Sequence, residues 1–569
     1  MEPTESPPGA HRHSLAELTD NDHPNDQAIQ DARDLADLGH EQLLSRKFTT
    51  WSMFFLAFSV LGTWSTFAQG LSSGLTSGGP ITILWGLVLV AVCNVCVAVS
   101  LGELCSSMPT ALGQAYWISR LWPGNPWARF ASYMCAWVNT FGWWALSASQ
   151  LAFMTNFILS MKVLFIGEWE PATTGWINFL LYLGVTLFVT LINLVACRRD
   201  FILPMFNNFV GVCFITLFFV FILALLISVG VRDNLKFQPA SFVFGEWINQ
   251  TSWNGGVTFF IGLVQAAYGL TAFDSAVHLA EEIPRPRRNI PRVMWLSVVM
   301  GSITGFIFMV VCLFCIQNME TVVDPSTGLP FMDLLAETLG LEGGTVLLSL
   351  FIFNGMGQAV SILTTASRLT WGFARDGGLP FETFFSAVDA TWHVPARALW
   401  LQGAIIGLVG VLYTFSNTVL DAILGVSTIA LTISYGMPIF ALILAGRDAL
   451  PAGGEFGLGK RFGPLINWVS VVYCVVTTVF FFFPEEPDPA PADMNYAIAV
   501  FGIMLIVSIG LWFVRGKHTY LQTNEAKERI MEAIRGELGQ YSEGVGVTGN
   551  ETVGSAAAGI TGEKEKVKE

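Results

Sequence analysis

Charged residues are scarce in this sequence. Only 13% of its 569 residues are Asp, Glu, Lys or Arg, about half of the roughly 25% in a soluble domain. Over such a length, that scarcity means most of the surface faces lipid. Catalytic signatures are also missing: there is no HExxH, no GxSxG and no Walker phosphate loop. Of the seven His, four (His11, His13, His23 and His40) fall in the first 47 residues. An enzyme and an ATP-driven pump are therefore not expected, and no cofactor is implied. A pore-lining filter sequence is absent too, which argues against a channel. No cleavable leader is visible, because the first 47 residues are polar and the first apolar run begins near Trp51.

Cysteine is present but not in a form that binds metal. Cys93/Cys96 and Cys312/Cys315 have CxxC spacing, but a metal site would need a second pair and His or acidic neighbours beside each. They read as small hydrophobes in helices. The net charge of −14 is a property of tail and loops, since residues 1–47 alone hold ten acids against four bases. A nucleic-acid partner is not expected.

An apolar run of about 20 residues spans a bilayer as a helix, and lipid leaves the backbone no other solution. Twelve such runs are present: 51–73, 81–106, 130–160, 177–197, 202–230, 255–278, 293–316, 346–373, 399–416, 422–446, 464–484 and 496–514. The sequence predicts an all-α membrane protein with a cytoplasmic tail over 1–47, a transporter domain over 48–515 and a second cytoplasmic tail over 516–569. With the N-terminus inside, the inner loops collect thirteen Lys and Arg and the outer loops three (Lys162, Arg232 and Lys236), which satisfies the positive-inside rule. Asn249-Gln250-Thr251 is then a glycosylation sequon in an outer loop; Asn550-Glu551-Thr552 falls in the C-terminal tail. Residues 1–40 and 540–569 read as disordered, 31–47 as a helix on the inner face, and 328–341 as a short amphipathic helix in an outer loop.

Two spans are built to break. The first carries Ser59, Gly62, Thr63, Trp64, Ser65 and Thr66; the sixth carries Gln265, Tyr268, Gly269, Thr271 and Asp274. Glycine and hydroxyl residues weaken a helix and compete for its backbone bonds. Small residues also serve close helix packing. That alternative does not explain an ionisable Asp274 in mid-span, which is costly in lipid and usually functional. Broken spans at matching places in two halves mark a transporter site, and the first and sixth are five apart.

Three motifs now bring a family into view: Ser100-Leu101-Gly102-Glu103 through Gly113-Gln114-Ala115-Tyr116-Trp117; Phe273-Asp274 with Ala280-Glu281-Glu282-Ile283-Pro284; and Ser367-Arg368-Leu369 with Ala374-Arg375-Asp376-Gly377. In this order the chain resembles the amino acid–polyamine–organocation transporters over about residues 45–515. Ser72-Ser73-Gly74 and Ser77-Gly78-Gly79-Pro80 resemble the fungal choline, GABA and amino-acid permeases. The resemblance implies twelve transmembrane helices, a five-plus-five inverted repeat (LeuT-like) with broken first and sixth helices, and substrate held between the first, third, sixth, eighth and tenth. It implies secondary import of a small nitrogenous solute, choline or an amino acid such as GABA, with a proton as candidate co-transported ion. A substrate-sensing transceptor, or an exchanger of other amino acids or polyamines, is the alternative. Near Phe214, where some bacterial relatives carry Lys, this chain has none. Thr364 and Thr365 offer sodium-site hydroxyls or carbonyl caps.

The candidate substrate-binding residues are Gly62, Thr63, Trp64, Ser65, Tyr268, Gly269, Thr271, Phe273 and Asp274. Trp64, Tyr268, Phe273, Trp143 and Trp144 suggest an aromatic cage for a quaternary ammonium, or else lipid-facing rings. On the cage reading, replacing Trp64 by Leu hurts choline more than GABA. Asn354 and Gln358 are further polar candidates, and His278 either relays a proton or bonds a carbonyl. Glu103, Glu281, Glu282 and Arg375 are candidate gating residues, or a solvated face. The expected partners are a nitrogenous solute, a proton as candidate co-transported ion, and the bilayer, with the plasma membrane as the expected location.

Overall fold

A computed structural model describes residues 24–522, apart from Gly124, Glu168, Thr173, 320–321, 323–324, 326, 390–393, 415–418, 485 and 491–493. The sequence expectations for 1–23 and 540–569, including the second sequon, lie outside the described residues. Among those described, the fold is helical, with one isolated β-bridge between Ser77 and Asn249.

Among the described residues, eleven helices are long and apolar enough to cross a bilayer. A further apolar run is interrupted, and it corresponds to the sixth span. Before the first span lies α1 (Pro24–Asp37). The first span is α2 (Thr50–Leu61) followed by α3 (Thr63–Gln69). A capping box opens it: Thr49 Oγ1 accepts from Ser52 N at 3.1 Å, and Thr49 N donates to Ser52 Oγ at 2.8 Å. The second span ends in α4 (Leu87–Ser107), and α5 (Gln114–Leu121) leads to the third, α6 (Pro126–Ile166). Asn125 caps α6 with Pro126 at its first turn. At 41 residues, α6 outruns the roughly 30 Å hydrocarbon core.

The fourth and fifth spans are α7 (Gly175–Ala196) and α8 (Ile202–Val231). Along uncharged α8, Phe209, Val212, Phe219, Leu223 and Ile227 are exposed while Asn207, Phe214 and Phe221 are buried. An apolar exposed face of that length belongs to lipid. The sixth span divides into α9 (Gly255–Gly269) and α10 (Ser275–His278). Then follow α11 (Pro286–Cys315) and α12 (Pro330–Arg375). Gly340, at φ +79°, separates the first turns of α12 from the span proper. Those turns form the helix expected over 328–341, and Phe331 packs on Phe221, Phe308 and Phe351. The last spans are α13 (Ala396–Gly410), α14 (Val419–Ala445), α15 (Gly459–Phe481) and α16 (Ala497–Leu511). The two broken spans sit five apart, as a five-plus-five inverted repeat requires; α2 packs against α8, α11 and α12, α3 and α10 against α11 and α12, and α9 against α3, α4, α14 and α15.

One expectation needs correction. The helix read over 31–47 is α1, ending at Asp37, and residues 38–48 run on without helix. They are not loose: Leu35, Leu38, His40, Leu44 and Phe48 are buried. The residues from 24 to 40 are therefore ordered, contrary to the disorder read from composition. Polar tails look disordered when their burial partners lie far along the chain. Here Tyr116 donates to Leu38 O at 2.8 Å, Gln42 donates to Glu281 O at 2.8 Å, and Phe48 N donates to Glu282 O at 3.0 Å. At the other terminus Tyr520 is fully buried and donates to or accepts from Ser132 Oγ at 2.8 Å.

Candidate transport site

The first break is made by Gly62. Its φ of +55° is left-handed, and a Cβ there would lie 2.1 Å from Gln358 Nε2. Only glycine meets both conditions. The freed backbone groups find partners nearby. Ser65 Oγ donates to Gly62 O at 2.8 Å, Thr66 Oγ1 to Leu61 O at 3.2 Å, and Gln358 Nε2 to Val60 O at 3.3 Å. Thr66 N bonds Gly62 O at 2.8 Å and starts the second half-helix.

The sixth span unwinds between Gly269 and Ser275. Ala272 has φ +66°, an unusual conformation for a residue with a Cβ. Its amide donates to the Tyr435 hydroxyl at 3.0 Å. Gly269 permits close approach, since a Cβ there would meet the Phe67 ring at 2.4 Å.

Between the two breaks lies a narrow cavity, with free room for about one water molecule. Val60, Leu61 and Thr66 line it from the first span; Leu146 and Gln150 from α6; Tyr268, Thr271 and Ala272 from the sixth; Gln358 and Ile362 from α12. None of these carries a charge. Gln150 Nε2 donates to Gln358 Oε1 at 3.3 Å and Gly355 O at 3.2 Å. The Tyr268 hydroxyl shares a hydrogen bond with Ser149 Oγ at 2.8 Å.

Of the sequence candidates, Tyr268 and Thr271 line the cavity, and Gly62, Ser65 and Gly269 shape its walls. Thr63 is buried, with Gly301 against its side chain. Trp64 lies elsewhere: its ring packs among Phe214, Phe218, Phe221, Phe308 and Phe351 at 5.0–6.4 Å. Phe273 lies against the Tyr435 ring at 4.9 Å. Trp144 Nε1 donates to Thr370 Oγ1 at 3.0 Å. The five candidate aromatics therefore do not converge on the cavity; of them, Tyr268 lines it.

Asp274 sits behind the cavity wall, fully buried. Its Oδ1 accepts from the Tyr435 hydroxyl at 2.7 Å. Its Oδ2 accepts from Gln114 Nε2 at 2.7 Å and Trp143 Nε1 at 3.3 Å, and lies 3.0 Å from His278 Nε2. Sequence reading named Asp274 and His278 but missed Gln114 and Tyr435 as partners of Asp274, and Gln150 in the cavity lining. A polar side chain inside an apolar span is a signal in itself, and it would have flagged Gln150 and Tyr435.

The candidate gating residues are ion-paired. Arg375 donates to both Glu281 oxygens at 2.9 Å and covers the Trp371 ring at 4.6 Å. Glu282, fully buried, accepts from Arg368 at 2.7 Å and meets Lys47 Nζ at 3.1 Å. These pairs tie the end of the sixth span to α12 and to the N-terminal segment. Glu103 belongs to a different corner, bonding Arg447 and, at 2.7 Å, Leu458 N. Thr364 and Thr365 donate to carbonyls of their own helix, at 2.8 and 3.2 Å. Phe214 is fully buried. Asn249 is exposed, with its Nδ2 donating to Trp253 O at 2.8 Å.

A multi-span helical protein with two interrupted spans around a small polar cavity is built as a membrane transporter. Residues 48–514 match the amino acid permease family, and the chain belongs to it. A choline transporter of Saccharomyces cerevisiae is 32% identical over 491 residues, covering 86% of this chain and 85% of that one. A GABA-specific permease of the same yeast is 26% identical over 537 residues, covering 93% and 90%. An amino-acid permease of Arabidopsis thaliana is 27% identical over 502 residues, covering 85% and 95%.

Proposed function

We propose that the protein is a secondary active importer of choline or an amino acid such as GABA, with both termini cytoplasmic and the plasma membrane as its site. One observation carries the choice between these solutes: the cavity at the two helix breaks has no charged side chain. A quaternary ammonium has no N–H to satisfy and a diffuse charge. The Tyr268 face and the carbonyls ending α2 suit it without an ion pair. GABA brings a carboxylate as well, for which the cavity offers only amides, hydroxyls and the first peptide N–H groups of α3. Choline is therefore the favoured cargo. Import fits the buried ion pairs that close the Arg-rich end of the bundle, leaving the far end as the side from which solute enters. The test is uptake of labelled choline and labelled GABA by proteoliposomes containing the purified protein. Saturable choline uptake, competed weakly by GABA, is the expected result. Saturable uptake of neither rejects the proposal, and binding of choline without flux makes the protein a sensor.

A further inference from the structure

We propose that Gln358 is a specificity-determining residue: its side-chain amide holds the carbonyl that a solute N–H would need, so the site selects an N-methylated cation over a primary ammonium. This rests on the transporter reading above and adds the feature of the cation that is recognised.

Two side-chain amides form a relay whose direction is fixed. Val60 O lies 3.3 Å from the Gln358 amide, and a carbonyl can only accept, so the NH2 end of Gln358 points at the end of α2. Gly355 O lies 3.2 Å from the Gln150 amide and fixes that residue in the same way. Gln150 Nε2 then donates also to Gln358 Oε1 at 3.3 Å. Both ends of the Gln358 amide are therefore held, one by α2 and the other by α6, while its stem belongs to α12. Gln150 and Gln358 are each 2% exposed.

The amide also fills the notch that the first break opens. A Cβ on Gly62 would run into Gln358 Nε2 and lie 2.8 Å from its Cδ and 3.1 Å from its Oε1. The neighbouring carbonyls are met as well. Leu61 O accepts from Thr66 Oγ1 at 3.2 Å, and Gly62 O from Ser65 Oγ at 2.8 Å. At the second break, Ala267 O and Tyr268 O accept from Leu270 N and Thr271 N, both at 3.3 Å, and Leu270 O accepts from Asn94 Nδ2 at 3.4 Å. These carbonyls beside the cavity are satisfied by the chain's own donors before any solute arrives.

A cation entering here meets carbonyl dipoles whose hydrogen bonds are already made. Its positive charge is still favoured by the C-terminal end of α2 and by the Tyr268 ring. A primary ammonium gives up water at every N–H, and a buried donor left without an acceptor is costly. An N-methylated head has fewer such donors or none, and Leu61, Leu146 and Ile362 of the lining offer its methyl groups apolar contact. The cavity has free room for about one water molecule, so its walls part to admit a solute, and the relay decides which polar atoms they present. A cation that pushed the amide aside would strand Val60 O, and only a cation with an N–H could replace the lost donor. The two cases give opposite rankings: N-methylated first if the amide stays, primary first if it is displaced. Val60, Gly62 and Gln150 hold the amide on three sides, which favours staying.

The test uses the whole chain in proteoliposomes, with labelled choline as probe. Unlabelled choline, N,N-dimethylethanolamine, N-methylethanolamine and ethanolamine compete. All are cations at neutral pH with the same hydroxyl arm, and each gains one N–H over the one before. Wild-type inhibition should weaken along that series, by about tenfold from choline to ethanolamine. Gln358→Leu, which leaves Val60 O open to a solute donor, should bring that ratio close to one. Gln150→Leu, which frees the other end of the amide, should narrow it in part, and it decides where Gln358→Leu fails to fold. A Gln358 that only supported the fold would lower the yield of folded protein and leave the ratio unchanged; an unchanged ratio in either variant overturns the proposal. Ethanolamine competing as well as choline in the wild type, or GABA uptake without choline uptake, also overturns it and leaves the transporter reading standing. Saturable uptake of neither choline nor GABA rejects the transporter reading instead.

Discussion

Trp64 adjoins the first helix break in sequence, but its ring turns away from the cavity into five phenylalanines. Neighbourhood along a chain does not say which side of a half-helix a side chain takes. At a break the helical phase restarts, so periodicity cannot be carried across it. Trp64 is 1% exposed, and trimming a buried Trp to Ala costs about 3–5 kcal/mol. The expectation for Trp64→Leu is now a loss of thermal stability in detergent, with choline and GABA uptake per folded molecule reduced equally. A selective loss of choline uptake would place the ring at the substrate after all. Gly62 was legible for the opposite reason, because its backbone conformation, not its side chain, makes the break. Asp274 was legible as an intramembrane acid, but its donors on α6 and α14 were not, since nothing local in the sequence pairs position 274 with 143 or 435.

The elements are held at one end by pairs that cross large sequence distances. Glu282 joins Arg368 of α12 to Lys47 of the N-terminal segment, and Phe48 N bonds its carbonyl. All three side chains are at most 1% exposed. Such a cluster is costly to assemble and more costly to break on one side, because a partner is left charged and buried. Glu282→Gln, which leaves Arg368 and Lys47 both charged and buried, should lower stability by about 3–5 kcal/mol. The double variant Glu282→Gln with Arg368→Leu should recover part of that loss, since it removes one of the two cations left without a carboxylate. Thermal denaturation of the purified variants checks this as a double-mutant cycle. Equal loss in single and double variants would show that Arg368 acts by packing. Helix existence and type were legible from hydropathy, and the broken spans from Gly, Ser and Thr. The role of residues 38–48 was not, because an extended segment that buries every few residues has no period to find.

At the scale of the whole molecule, the two terminal segments meet. His40 Nδ1 lies 3.7 Å from Asp376 Oδ1, and Leu521 N donates to Asp376 O at 2.9 Å. An even number of spans brings both ends to one side, and the structure has both segments at the end of α12 that holds Arg375. Which side of the membrane that is follows from charge. Arg285, Arg287, Arg288 and Arg292 lie beside this end, while Asn249 follows α8 at the other. Lys and Arg in short loops stay cytoplasmic, which supports the proposal that the shared end faces the cytoplasm. A tag placed at the N-terminus should be unlabelled by impermeant reagents on intact cells and labelled after permeabilisation. Asn249→Gln, expressed in a cell that glycosylates secretory proteins, should lose the mass of a single glycan, because the side chain is exposed at the opposite end. Labelling of the N-terminal tag from outside would invert the molecule.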